Sequence, residues 1–178
     1  MSALQKPFSK DPVIEKSLHH SIKDGVAFSI MTGVGENYFS AYAVFLKAST
    51  QQVGLLAALP PLLAAFTQML AVVLGQLLGV RKGIIVAGAS IQIVGLLAIA
   101  CLPSLFPAWS FPLLLLSVIL YFSGANLGAP LWGSLMGVLV PENVRGRFFS
   151  RRTRLSSVAS FSSLLGAGTI LQLFDSLG

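Results

Sequence analysis

The chain has 178 residues, of which 54% are hydrophobic and only 10% charged, with a mean hydropathy of +0.81; a soluble domain carries about 25% charged residues. A water-soluble surface cannot be built from such a composition. The net charge of +6 and the pI near 9.9 do not point to a nucleic-acid partner, because the cations stand in short clusters between hydrophobic runs.

Residues 1–24 are polar and include Lys6, Lys10, Asp11, Glu15, Lys16, Lys23 and Asp24, which does not match a cleavable signal peptide. They read as a cytosolic N-terminal segment. His19 and His20 lie within it with no acid or thiol spaced to complete a metal site, and read as solvated juxtamembrane residues. The first span, expected over 25–46, is then the insertion signal. Ser29, Thr32, Gly33, Glu36, Asn37 and Ser40 recur along it at spacings of three and four, a polar stripe on one helical face that should look into a bundle or a cavity. Glu36 is placed near the middle of that span, where an ionised side chain costs on the order of 3 kcal/mol, so it should be protonated, paired or hydrated. An acid there is a candidate for a substrate or proton pathway, joined by Asn37 and Thr32.

Two runs, 53–80 and 83–141, contain no Asp, Glu, Lys or Arg, and each exceeds the roughly 18 apolar residues that mark a membrane span. The first predicts a span over 53–80, carrying Pro60 and Pro61. The second, divided by the Pro-rich stretch 103–110, predicts spans over 84–102 and 111–140. Cys101, the single cysteine, reads as a small apolar core residue. Gly, Ser, Asn and Pro130 interrupt span 111–140, and Tyr121, Asn126 and Trp132 are further candidates to line a pathway. A fifth span is expected over 155–174, where Ser156, Ser160 and Ser163 share a face that would let a second backbone approach closely. The fold class is therefore all-α, a polytopic transmembrane bundle of five spans joined by short connections that make successive helices antiparallel.

Orientation follows from the cations. With the N-terminus in the cytosol, eleven of the twelve Lys and Arg residues fall on that side and only Lys47 faces out. The chain shows no phosphate-cradling Gly-rich loop with its Lys, no nucleophile elbow and no metal-ligand spacing, so no catalytic residues, metal or cofactor are assigned.

Two expected cytosolic loops resemble the major facilitator superfamily. Gly75-Gln-Leu-Leu-Gly79-Val-Arg81-Lys82-Gly83 is similar to the signature that this family carries between its second and third spans, with Gly79 where the family has an Asp. Pro141-Glu-Asn-Val-Arg145-Gly146-Arg147-Phe-Phe-Ser-Arg151-Arg152 looks like its Pro-x-x-x-Arg-Gly-Arg pattern, and residues 35–38 and 52–56 also resemble it. The Arg of the family's fourth-span motif and the fifth-span Gly-Pro-x-x-Gly-Gly motif are absent. The resemblance implies helices packed around a midplane site between two six-helix halves. It makes Gly75, Arg81, Lys82, Arg145, Gly146, Arg147 and Arg151 cytosolic gate residues. This chain would supply five helices of the first half, as a truncated sequence or as a half that pairs with another chain.

The function expected on these grounds is secondary active transport of a small solute across the cytoplasmic (inner) membrane by alternating access, with lipid and solute as partners and no nucleic acid. The alternatives are a noncatalytic helical subunit or anchor, and a membrane-embedded enzyme, which the lack of a second acid or a His within the spans disfavours.

Overall fold

The computed structural model describes residues 7–177, apart from the side chains of Leu102 and residues 174–177. It is all-α, with no strand among the described residues. The helices are α1 (Pro12–Val34), α2 (Phe39–Phe45), α3 (Thr50–Leu78), α4 (Arg81–Leu105), α5 (Ser110–Leu139) and α6 (Arg145–Leu177), with 3-10 turns at Glu36–Tyr38, Pro107–Trp109 and Glu142–Val144. The chain forms two compact units, one built on α1 and α6 and the other on α2 to α5.

In the first unit α1 starts where local chemistry favours a start. The Asp11 carboxylate accepts from the amides of Val13 at 2.8 Å and Ile14 at 3.5 Å, and Pro12 occupies the first turn, where its missing N–H costs nothing. Ile14, Leu18 and Ile22 follow at four-residue intervals and so share a face. Leu18 and Ile22 are buried in one cluster with Phe8, Val140 and Phe148. From there α6 runs parallel to α1: Arg152 meets Ser21 and Gly25, Ser160 and Ser163 meet Gly33, and Leu164 and Gly168 meet Tyr38. A Cβ on Gly33 would collide with the Ser163 hydroxyl and the Ser160 carbonyl, so a glycine is required for this approach.

In the second unit α4 and α5 pack antiparallel through small residues. Gly88 faces the Gly124 carbonyl, and Gly95 lies against the Tyr121 backbone. Gly75 of α3 receives the Leu131 side chain of α5. Lys47 ends α2 in the left-handed region at φ 62°, its amide donating to Val44 O at 2.8 Å while Ala48 N–H reaches Ala43 O at 3.0 Å. Ser49 then opens α3 with a reciprocal cap to Gln52.

Three helical stretches, Thr50–Leu78, Arg81–Leu105 and Pro107–Leu139, are long and apolar enough to cross a membrane. Their outer faces are apolar: Phe66 is 62% exposed, Leu97 60% and Leu116 64%. Apolar surface on this scale needs lipid or a partner against it.

Several expected boundaries are corrected. The single helix expected over 25–46 is instead α1, a 3-10 turn at Glu36–Tyr38 and α2. Its start moves back to Pro12 because the Asp11 cap and the Ile14–Leu18–Ile22 stripe make the polar segment helical. The break follows Gly35, whose N–H still bonds Met31 O and Thr32 O while Tyr38 N–H turns back to Gly35 O at 3.0 Å. The loop expected over 141–154 is a 3-10 turn running directly into α6 at Arg145, so its arginines are helical. Helix α4 continues through Pro103 to Leu105. Cys101, expected in a core, is exposed on α4. Residues 1–6 of the expected cytosolic segment, with Lys6 of the cation count, lie outside the described residues.

Candidate functional site

Glu36, Asn37 and Thr32 come together at the interruption between α1 and α2. Gly35 and Tyr38 close the 3-10 turn through the backbone, and the Asn37 amide donates to Thr32 O at 3.4 Å. Unwinding frees backbone groups that apolar surroundings cannot satisfy, so a side-chain amide beside the break has a direct use. Glu36 opens the turn, partly buried and engaged with a neighbour. Thr32 Oγ1 donates to Ser29 O at 3.1 Å, and the Tyr38 hydroxyl donates to Leu164 O on α6 at 2.9 Å. The polar stripe expected along one continuous helix is thus split. Its first part, with Gly33, packs on α6, and its acid sits in the turn.

Of the basic residues expected to form a cytosolic gate, Arg145, Arg147 and Arg151 occupy the first turns of α6, and Arg147 and Arg151 act on the N-terminal arm. Arg147 Nη2 donates to Pro7 O at 2.7 Å, and its guanidinium lies 5.0 Å from the Phe8 ring centre, with that of Arg151 at 5.8 Å. The Phe8 ring also meets Phe148 edge-on at 5.4 Å. Glu15 holds the arm from the α1 side: its Oε2 accepts from Phe8 N–H and Ser9 N–H, each at 2.8 Å, and its Oε1 lies 3.1 Å from His19 Nε2. His19 is exposed but tied in through this contact. Arg152 Nε donates to Ser21 O at 3.3 Å; burial pushes its guanidinium below the ordinary arginine value, while nearby Asp24 pulls the other way. Arg145 is half-buried and Gly146 exposed at the start of α6. The Arg147 and Arg152 guanidiniums thus donate to backbone carbonyls, and those of Arg147 and Arg151 lie over the Phe8 ring.

Between the arm and the turn before α6 lies a cleft of about 600 Å³, with Pro7, Phe8, Ser9 and Lys10 on one side and Pro141, Asn143, Val144 and Arg147 on the other.

The other candidates belong to the second unit. Tyr121 is fully buried, edge-on to Phe39 at 5.5 Å and to Phe122 at 5.4 Å. Asn126 donates to Phe122 O of its own helix at 2.9 Å, and Trp132 is half-buried further along the same helix. Gly75 is buried against Leu131, whereas Arg81 and Lys82 are exposed in the first turn of α4. Between them, Gly79 takes the left-handed conformation at φ 65° and ends α3.

Sequence reasoning missed three residues. Phe8 and Glu15 organise the arm, and the signal for them was the Asp11-Pro12 start with an apolar residue every fourth position behind it. Gln92 of α4 is 6% exposed, and its Nε2 has no hydrogen-bond partner among the described residues; it is the lone side-chain amide of α4. Among the described residues no group of three or more His, Cys, Asp or Glu is placed to hold a metal.

No family model, no curated protein and no solved structure matches the chain.

Proposed function

We propose that this chain forms part of a secondary transporter that moves a small solute across the cytoplasmic membrane, with its N-terminus in the cytosol. The observation that carries the reading is the acid-bearing interruption at Glu36–Tyr38 between two helical pieces of an otherwise apolar helical protein. Discontinuous helices whose unwound backbone meets polar side chains are the means by which many transporters build a solute or ion site, and irregular backbone is tolerated at membrane depth only where protein or a water-filled cavity satisfies it. The parallel pairing of α1 with α6 supports five crossings. The chain leaves this pair at the Tyr38 end and re-enters it at the Arg145 end, which needs an odd number of intervening crossings, and α3, α4 and α5 supply three.

The loop signatures around Gly75–Gly83 and Pro141–Arg152 support the kinship with the major facilitator superfamily, and with it a second six-helix half that completes the pathway. A second reading, a noncatalytic helical module, is favoured by one observation: Gly33 and Tyr38 spend part of the polar stripe on packing against α6.

Solute uptake and exchange in proteoliposomes containing the full-length protein separate the two. In a proton-coupled carrier Glu36→Gln removes uphill uptake and keeps exchange, and in a carrier that pairs Glu36 with a cationic solute it lowers affinity itself. Transport at the normal rate and with normal pH dependence in Glu36→Gln would leave Glu36 a packing residue, whereas neither uptake nor exchange by the parent protein would favour the module.

A further inference from the structure

The cleft between the N-terminal arm and the turn before α6 carries two cations and no acid. Lys10 makes no hydrogen bond or ion pair among the described residues, and Arg147 spends a single hydrogen-bond donor, on Pro7 O, of the five that a guanidinium offers. The acids closest in sequence are already committed. Asp11 caps α1, and Glu15 accepts from the Phe8 and Ser9 amides and meets His19. Glu142 stands in the turn that forms the other wall, exposed and outside the lining.

The remaining walls are apolar at Phe8, Pro141 and Val144, with the Asn143 amide beside them. A volume of about 600 Å³ far exceeds a bare inorganic anion and falls in the range of sites that enclose a drug-sized ligand. Cations with spare donors beside apolar walls suit a phosphate that is esterified to a larger group.

From this cavity we infer that the cleft binds the phosphate headgroup of an anionic lipid of the cytosolic leaflet, held by Lys10 and Arg147. The site rests on the membrane reading above and not on transport. Basic pockets on the cytoplasmic side of membrane helices take such headgroups, each cation near an anionic surface being worth about fivefold in binding. Because Arg147 also fixes Pro7, a lipid held there would clamp the arm on α6.

The test is lipid retention, read by native mass spectrometry on the full chain taken from nanodiscs of phosphatidylcholine mixed with phosphatidylglycerol. Phosphatidylglycerol should be retained over phosphatidylcholine, about fivefold less in Lys10→Gln and less again with Arg147→Gln added. Arg154→Gln, an exposed cation of α6 outside the cleft, should retain it as the parent does. Lys10→Gln removes no bond within the described protein, so it reads binding even if Arg147→Gln loosens the arm. Equal retention of the two lipids, unchanged retention in Lys10→Gln, or an equal loss in Arg154→Gln would overturn the site. Displacement of the lipid by excess inorganic phosphate would overturn the lipid assignment in favour of free phosphate. No transported solute enters this measurement, so its failure and that of the transport reading are separable.

Discussion

Gly79 shows how one residue sets a junction. At φ 65° it ends α3 and lets α4 start two residues later, a conformation that costs a residue with a Cβ roughly 1 kcal/mol. Gly79→Ala should therefore lower stability by about 1 kcal/mol, read as a fall in the thermal midpoint of the detergent-solubilised protein, with no nearby atom for the new methyl to strike. Phe148 makes the opposite case, since it is fully buried beside Phe8, Leu18, Ile22 and Val140. Phe148→Ala should cost about 3 kcal/mol or more and free the arm, which limited proteolysis around Pro7–Lys10 would report. A Phe148→Ala protein as stable and as protease-resistant as the parent would show that this cluster does not hold the arm. The conformation at Gly79 was not legible in the sequence, because a Gly inside an apolar run reads equally well as helix, and only the turn to α4 requires its positive φ.

At the scale of elements, legibility followed the charge pattern. The long charge-free runs mark α3, α4 and α5 because apolar length is the signal itself. The starts of α1 and α6 are not marked by hydropathy: α1 extends through Lys16 and Lys23 on the Asp11 cap and the Ile14–Leu18–Ile22 stripe, and α6 extends through Arg147 and Arg151 around the buried Phe148. A rule that looks for Asp-Pro followed by apolar residues every fourth position would have found Pro12, Leu18 and Ile22. Nothing local marked the break after Gly35, since a Gly and an Asn within a polar stripe are also compatible with an intact helix. The small serine face of α6 was legible, and Ser160 and Ser163 meet Gly33 as close approach demands. Gly33→Ala should therefore lower the thermal midpoint of the detergent-solubilised protein, whereas Gly166→Ala on α6, whose new methyl would meet no atom, should not. Equal midpoints in the two variants would contradict the register of the parallel pair.

For the whole molecule, the three apolar helices and their exposed faces imply a membrane, and the parallel α1–α6 pair asks for an odd number of crossings between its members. The two features together predict that α1 and α6 also cross, although both carry more polar residues than the other three and neither qualifies on length and apolarity alone. Polar helices of this kind are stable in lipid where they face each other or a hydrated path. The central claim, five crossings with a cytosolic N-terminus and a cytosolic start of α6, is tested most directly by cysteine accessibility in intact cells. Single cysteines at Lys10, Lys47, Pro107 and Gly146, each in a Cys101→Ser background, are challenged with a membrane-impermeant maleimide before and after permeabilisation. The account predicts that Lys47→Cys and Pro107→Cys label from outside, and that Lys10→Cys and Gly146→Cys label only once the membrane is opened; labelling of Gly146→Cys in intact cells would contradict it.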